Sequence, residues 1–242
     1  MIGIFDSGIG GVTVFKEILK SLPNYQYLYY SDSINNPYGD KNNEELISIT
    51  REIVKYLIKR GAKIIVIACN TASAICKDDL RIEFDIPIIA IEPAIKLAYD
   101  LSYDKKTLVL ATKGTLESNK FRELYQKYNN YNMTIYECVG LADLIEKNEE
   151  DKINEYLINN IKKFRGVNNV VLGCTHYPII KDKIKSALGQ VDFYDGSLGV
   201  VKQLKKVIIA NNLEETKLDI KFIDSSNSKI KEDRFYEILK ED

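Results

Sequence analysis

The sequence predicts an α/β protein of two pseudo-symmetric lobes, each a mainly parallel sheet flanked by helices, with the site in the cleft between them. Three observations support this expectation. Short apolar runs alternate with amphipathic stretches along almost the whole chain. The runs are continuously apolar, the pattern of strands buried on both faces of a parallel sheet. Finally, two strand-to-helix corners, "KIIVIACNTAS" (63–73) and "NNVVLGCTHYP" (168–178), share one plan roughly a hundred residues apart.

Taken in order, Ile2–Phe5 reads as the first strand. It runs into the glycine-rich loop "FDSGIGG" (5–11) and a helix at Val12–Lys20. Gln26–Tyr30 is the second strand, followed by "NPYGD" (36–40), a turn built on Pro37 and Gly39. Leu46, Ile49, Ile53 and Leu57 step by three and four and stop at Gly61, which marks a helix with its C-terminal signal. Lys63–Ala68, Pro87–Ile91, Thr107–Ala111 and Met133–Cys138 are further strands, their Ile, Val and Tyr content and brevity favouring strand over buried helix. Ile153, Leu157, Ile158 and Ile161 repeat the helical pattern before Gly166. Asn169–Leu172, Val191–Tyr194 and Leu218–Ile223 complete the strand set. No low-complexity linker divides the chain. The paired corners and the late return to a strand assign residues 1–92 and 207–242 to one lobe and 93–206 to the other.

Each corner places a cysteine just after a strand and before a helix. Cys69 is followed by Asn70 and Thr71, and Cys174 by Thr175 and His176, the chain's single histidine. A helix N-terminus stabilises negative charge, so both thiols are expected to ionise more readily than free cysteine. The bland alternative, a buried cysteine acting as a small apolar residue, suits Cys76 and Cys138 better, because polar neighbours are costly to bury beside Cys69 and Cys174. Two lobes facing each other would bring both thiols to the carboxyl ends of their strands, where open α/β sheets place their sites. Two opposed acid–base groups suit inversion of a stereocentre: one takes a proton from one face of a carbon while the other returns a proton to the opposite face.

Asp6 and Ser7 stand at the end of the first strand, facing the same cleft, or else cap the helix that follows. The glycine loop has neither the dinucleotide nor the P-loop spacing. Backbone donors in the 36–40 turn are placed to bind a carboxylate or simply to close the turn.

Composition narrows the alternatives. With 45% hydrophobic and 29% charged residues the chain is an ordinary globular sequence. Its 34 basic and 35 acidic side chains leave a formal net charge of −1, with no electrostatic case for nucleic acid or a membrane surface. Four cysteines without a C-x-x-C pair form neither a disulfide framework nor a familiar zinc pattern, and no metal is expected. The N-terminus has no signal-peptide features and no run is long enough to span a membrane, so a soluble, cytoplasmic protein is expected.

Together, "GIFDSGIGG" (3–11), "PYG" (37–39), "ACNTASA" (68–74), the Thr112/Thr115/Ser118 pattern in "ATKGTLES" and "LGCTHYP" (172–178) resemble the glutamate racemase family, within the aspartate/glutamate racemase superfamily. The segments occur in the family's order, and the resemblance thins after about residue 195. It implies cofactor-independent interconversion of L- and D-glutamate, with D-glutamate going to bacterial peptidoglycan. By the family pattern Cys69 and Cys174 are the proton donors and acceptors, and Asp6 and His176 assist them. Asp6, Ser7, Tyr38, Gly39, Asn70, Thr71, Thr175 and His176 match substrate-binding positions. Glu146 matches a further assisting carboxylate or is a solvated charge at a helix end, the reading its sequence context favours. The segment "SDSINN" before "PYG" departs from the family pattern, with Asn35 and Asn36 at the expected cleft rim.

Other readings remain beside this one. The two-thiol chemistry also fits a racemase of aspartate or another amino acid, although "GCTHYP" and "PYG" favour glutamate. A thiol hydrolase using Cys174 and His176 leaves Cys69 unexplained. A non-catalytic amino-acid-binding protein has no need of both thiols. A homodimer is allowed by the sequence and not determined by it.

Overall fold

The computed structural model describes residues 1–129 and 131–240, so residues 241–242 of the expected first lobe lie outside the described residues. Nine strands form two wholly parallel sheets among the described residues. They are β1 Ile2–Asp6, β2 Gln26–Ser31, β3 Ile64–Ile67, β4 Ile88–Ala90, β5 Thr107–Ala111, β6 Met133–Glu137, β7 Asn169–Gly173, β8 Asp192–Tyr194 and β9 Asp219–Asp224. Every strand expected from the sequence forms, with ends shifted by at most one residue.

The first sheet has the order β4-β3-β1-β2-β9 and the second β6-β5-β7-β8. Reversed, the second reads β8-β7-β5-β6, so β1, β2, β3 and β4 correspond to β5, β6, β7 and β8, with β9 added at one edge. That correspondence places Cys69, after β3, and Cys174, after β7, at equivalent positions. In each lobe the first strand lies between the second and third, so successive connections leave in opposite directions and open a crevice at the carboxyl ends.

The helices follow from the same logic. Helices α1 (Val12–Ser21), α2 (Asn43–Lys59) and α3 (Asn70–Glu83) serve the first sheet. Ile2, Ile4, Tyr27, Tyr29, Ile64 and Val66 pack with α1 on one face. Phe5, Leu28, Ile65 and Ile67 pack with α2 and α3 on the other. Strand residues alternate between faces, and burial of both is why these runs are continuously apolar. The Asn42 side chain caps α2 by accepting from the Glu45 N–H at 2.9 Å, and Gly61 ends it at φ +92°.

Helices α4 (Ile95–Ser102), α5 (Lys113–Glu117), α6 (Asn119–Tyr128), α7 (Leu141–Glu146), α8 (Glu150–Tyr156) and α9 (Lys181–Leu188) follow in the second half of the fold. The pattern expected to make one helix through Ile161 instead gives α8, a wide π turn at Leu157–Ile161 and a 3-10 turn at Lys162–Phe164. Ile153, Leu157 and Ile161 are spaced by four, and widening the turn keeps all three buried on one face while Ile158 turns out, 60% exposed.

Helices α10 (Ser197–Ala210) and α11 (Lys229–Lys240) return to the first sheet. Val200, Val201, Leu204 and Ile208 of α10 and Phe235 and Ile238 of α11 join the core that α1 covers. The expected lobe division between residues 206 and 207 therefore falls inside α10, whose buried face packs on the first lobe.

Candidate active site

Both cysteines and most of the expected site residues line one cleft of about 630 Å³ between the lobes. Ser7, Tyr38, Gly39, Cys69, Asn70 and Thr71 reach it from the first lobe, and Thr112, Cys174, Thr175 and His176 from the second. Among the described residues, no group of three or more His, Cys, Asp or Glu side chains is arranged to hold a metal ion.

Cys69 is the N-cap of α3, with φ −68° and ψ 124°, and its Sγ lies 4.0 Å from Ser7 Oγ. The expectation that the helix end lowers its pKa is not met. Burial is the largest influence and pushes the thiol up, the neighbouring Asp6 adds to it, and the Ala72 N–H opposes both only in part. Desolvation of a buried anion outweighs one helix terminus here. Cys174 is followed by a short 3-10 turn at Tyr177–Ile180 and then by α9, so no α-helix begins at this thiol. Its Sγ lies 3.8 Å from His176 Nδ1. Cys76 and Cys138 are buried, and burial raises each to about 12, in keeping with their expected apolar role.

Asp6 lies one layer beneath the cleft rather than on its wall, and caps no helix. It is fully buried, accepts from Thr175 Oγ1 at 3.1 Å and from the Gly8 N–H at 3.2 Å, and so ties the two lobes together. Burial raises its pKa above the ordinary carboxylate value, while the positive charge of His176 and the backbone N–H groups of Gly8 and Gly11 oppose that rise.

Glu146, favoured in the sequence as a solvated charge, is a correction. Its side chain is only 5% exposed and accepts from the Ile9 N–H at 2.9 Å, pairs with His176 Nε2 at 2.8 Å and receives Lys231 Nζ at 2.8 Å. Burial alone would raise this carboxyl, but His176 and Lys231 together bring it down to about 2. For His176, burial works to lower the pKa. The bonds to Cys174 and Glu146 outweigh it and hold the imidazole well above its usual value. The sequence offered no signal for Lys231, which lies 85 residues from Glu146.

The loop 5–11 must be glycine-rich because this cluster presses on it. A Cβ on Gly8 would overlap the Glu146 carboxylate, and one on Gly10 would lie 2.5 Å from His176 Nδ1. At the other rim, Tyr38 OH donates to Asp32 Oδ2 at 2.6 Å, so its hydroxyl is turned away from the cleft. Asn35 holds the same carboxylate through Nδ2 at 3.0 and 2.9 Å, while Asn36 lines the cleft. Thr71, Thr112 and Thr115 form a hydroxyl triangle across the lobes, with sides of 2.9, 3.0 and 3.3 Å. Asn70 Oδ1 is buried without a hydrogen-bond partner among the described residues, leaving an acceptor at the cleft.

Chemically, the cleft presents hydroxyls, helix-end N–H groups and one open acceptor, with a thiol from each lobe. Such a surface suits a small molecule carrying carboxylates and an ammonium group.

The Asp/Glu/Hydantoin racemase family matches residues 18–204. The chain is 44% identical over 220 residues to a glutamate racemase of Clostridium perfringens, covering 88% of this chain and 85% of that one. Among solved structures, glutamate racemase from Francisella tularensis in complex with D-glutamate is 31% identical with a TM-score of 0.80, covering 98% of this chain and 92% of that one. The Escherichia coli glutamate racemase in complex with L-glutamate and the activator UDP-MurNAc-ala is 25% identical with a TM-score of 0.86, covering 98% and 93%. With more than half its length matched by that family and its whole fold shared with these relatives, the chain belongs to the Asp/Glu/Hydantoin racemase family.

Proposed function

We propose that the protein is a glutamate racemase that interconverts L- and D-glutamate without a cofactor, by proton transfer between Cys69 and Cys174, and supplies D-glutamate for peptidoglycan in the cytoplasm. The observation that carries this reading is the placement of one thiol from each lobe, at equivalent strand ends, on a single small cleft. Glutamate is assigned through the relatives named above.

In this reading the α-carbon sits between the two sulfurs. The N–H groups at the start of α3 and the hydroxyls of Ser7 and Thr71 hold the carboxylates, Thr175 lines the same wall with its hydroxyl bound to Asp6, and Asn70 Oδ1 accepts from the ammonium group. The two thiols are not equivalent. Burial and Asp6 keep Cys69 a neutral thiol able to donate, whereas His176 Nδ1 lies 3.8 Å from the Cys174 sulfur. The resting pair is thus arranged for L-glutamate. Cys174 takes the α-proton, the C–H electron pair moves into the carboxylate as an enediolate, and Cys69 delivers its proton to the opposite face. In the reverse direction Cys69 takes the proton from D-glutamate and Cys174 returns one. Asp6 lies beside Cys69, where it opposes the thiolate, and His176 lies beside Cys174 with its Nδ1 facing the sulfur. Association of two copies into a homodimer belongs to the same proposal and is read by sedimentation.

The test is racemisation of D-glutamate by the purified, metal- and pyridoxal-phosphate-free protein in D2O. A two-base enzyme gives early product with deuterium at the α-carbon while the remaining substrate stays largely protiated. Product that retains the original proton would mean a single base. Equal turnover of aspartate would leave a broader amino-acid racemase, and no turnover of either would leave a binding protein.

A further inference from the structure

The Glu146 cluster joins parts of the chain that the proton-transfer mechanism does not use. Helix α11 is anchored to the first lobe by Phe235, which is fully buried between Phe15, Tyr29 and Phe222. From that anchored helix Lys231 reaches across to Glu146 Oε1 at 2.8 Å. One turn further on, Arg234 donates to the carbonyls of Glu146 at 2.6 Å and Ile145 at 2.8 Å, which are the last residues of α7. The other Glu146 oxygen faces His176 Nε2, whose Nδ1 faces Cys174. A continuous chain of polar contacts therefore runs from the C-terminal helix to one of the two sulfurs.

We infer that Lys231 is a positioning residue: it fixes the Glu146 carboxylate, and through it the orientation of His176 at Cys174, so that the C-terminal helix of one lobe sets the proton-transfer geometry in the other. This rests on the proposed racemase reading only for its kinetic consequence. A carboxylate has two oxygens and rotates about its terminal bond, and here each oxygen has a different cation. Lys231 occupies Oε1 while Oε2 takes His176 and the Ile9 N–H. Without Lys231 one carboxylate oxygen has lost its cation, the carboxylate is held only through the oxygen that His176 and the Ile9 N–H share, and its rotation loosens the direction of the His176 contact. Arg234 does not replace it, because its bonds to Glu146 and Ile145 are made to backbone oxygens and hold the helix end rather than the carboxylate. The groups that face the cluster are His176 and Cys174 from the β7 corner, Asp6 and the 8–9 backbone from the β1 corner, Tyr29 from β2, and Lys231 from α11. Among these Lys231 is the only one that solvent reaches substantially, with its side chain 27% exposed, so its removal perturbs the cluster without opening a core cavity.

His176 is the chain's single histidine, so its ring resonances identify themselves. The experiment compares wild type, Lys231→Met, Lys231→Arg and, as a control, Lys229→Met, which alters an exposed lysine on the same helix. It reads the His176 Nε2 proton and ring nitrogen shifts by NMR, together with kcat and KM for both glutamate enantiomers. Expected is a kcat loss of about tenfold in Lys231→Met, the scale of one charged hydrogen bond misplaced at a proton relay. KM should be little changed, the His176 signals displaced, and Lys231→Arg should recover most of both. Lys229→Met should match wild type. Unchanged His176 signals in a folded Lys231→Met protein overturn the inference, whether or not kcat falls, since a loss of rate alone would then be a structural effect. Should Lys231→Met unfold, Lys231→Gln carries the same comparison. Absence of racemisation in wild type would strike the proposed function while leaving the NMR comparison to decide the coupling.

Discussion

Replacing Glu146 with Gln removes one negative charge from a buried cluster while preserving its shape, and the consequence for stability follows from the structure. The folded protein holds this carboxyl near 2 against an ordinary 4.5, because His176 and Lys231 outweigh the burial that would raise it. By linkage that difference is worth about 3 kcal/mol, the lower end of the roughly 3–5 kcal/mol for breaking a buried ion pair. The partly solvated Lys231 side argues for that lower end. The two signs define a window. The lowered carboxylate contributes in full above 4.5, and its stabilisation is lost as pH falls through about 2. The raised imidazole contributes in full below 6.5 and is lost as pH rises through its higher folded value. Urea unfolding of wild type and Glu146→Gln across this range should therefore show the largest gap between 4.5 and 6.5, narrowing on both sides. In the same variant His176 loses its carboxylate and its pKa falls, so the basic limb of the kcat profile moves to lower pH. A gap below about 0.5 kcal/mol within the window, the size of an ordinary surface substitution, would refute the reasoning.

Other outcomes follow from the same geometry. Cys69→Ser and Cys174→Ser should each reduce racemisation by more than about a thousandfold, because a serine hydroxyl is a far weaker acid than a thiol, and near wild-type turnover in either would remove that residue from the mechanism. Gly10→Ala should leave a folded protein with kcat down about a hundredfold, since its Cβ would lie 2.5 Å from His176 Nδ1 and displace the ring. Activity and circular dichroism together read that outcome. His176→Asn should lower kcat/KM by the same factor for both enantiomers, because their equilibrium constant in water is unity and no catalyst alters it. Any asymmetry appears only in kcat and KM taken separately. Aspartate should be a far poorer substrate than glutamate, because one missing methylene leaves buried donors unpaired, a loss measurable by competing the two amino acids.

How much of the site was legible depended on whether a residue's role is set locally. Cys69, Cys174, Ser7, Asn70, Thr71, Thr175 and His176 lie at or beside strand ends, and a strand end in a parallel sheet faces the cleft whatever else the chain does. Asp6 was also placed at a strand end, yet one residue of pleat separates the cleft wall from the layer beneath, and it takes the inner position. The role of Glu146 is not legible locally, because "LADLIEKNEE" is rich in charge and nothing in it reports that His176, Ile9 and Lys231 converge on this carboxylate from distant segments.

The sequence by itself determined the strand–helix alternation, both parallel sheets and the recurrence of the cysteine corner. These are properties of short windows, where apolar periodicity and glycine or proline punctuation fix the local conformation. Only the tertiary structure decided which way each boundary falls, as with α10 returning to the first lobe, and which ionisable groups lose water together. Cys69 illustrates the reason. Its helix-end position is written in the sequence and favours the thiolate, but the desolvation that overrides it comes from packing the two lobes over one cleft, and burial is a property of the whole fold.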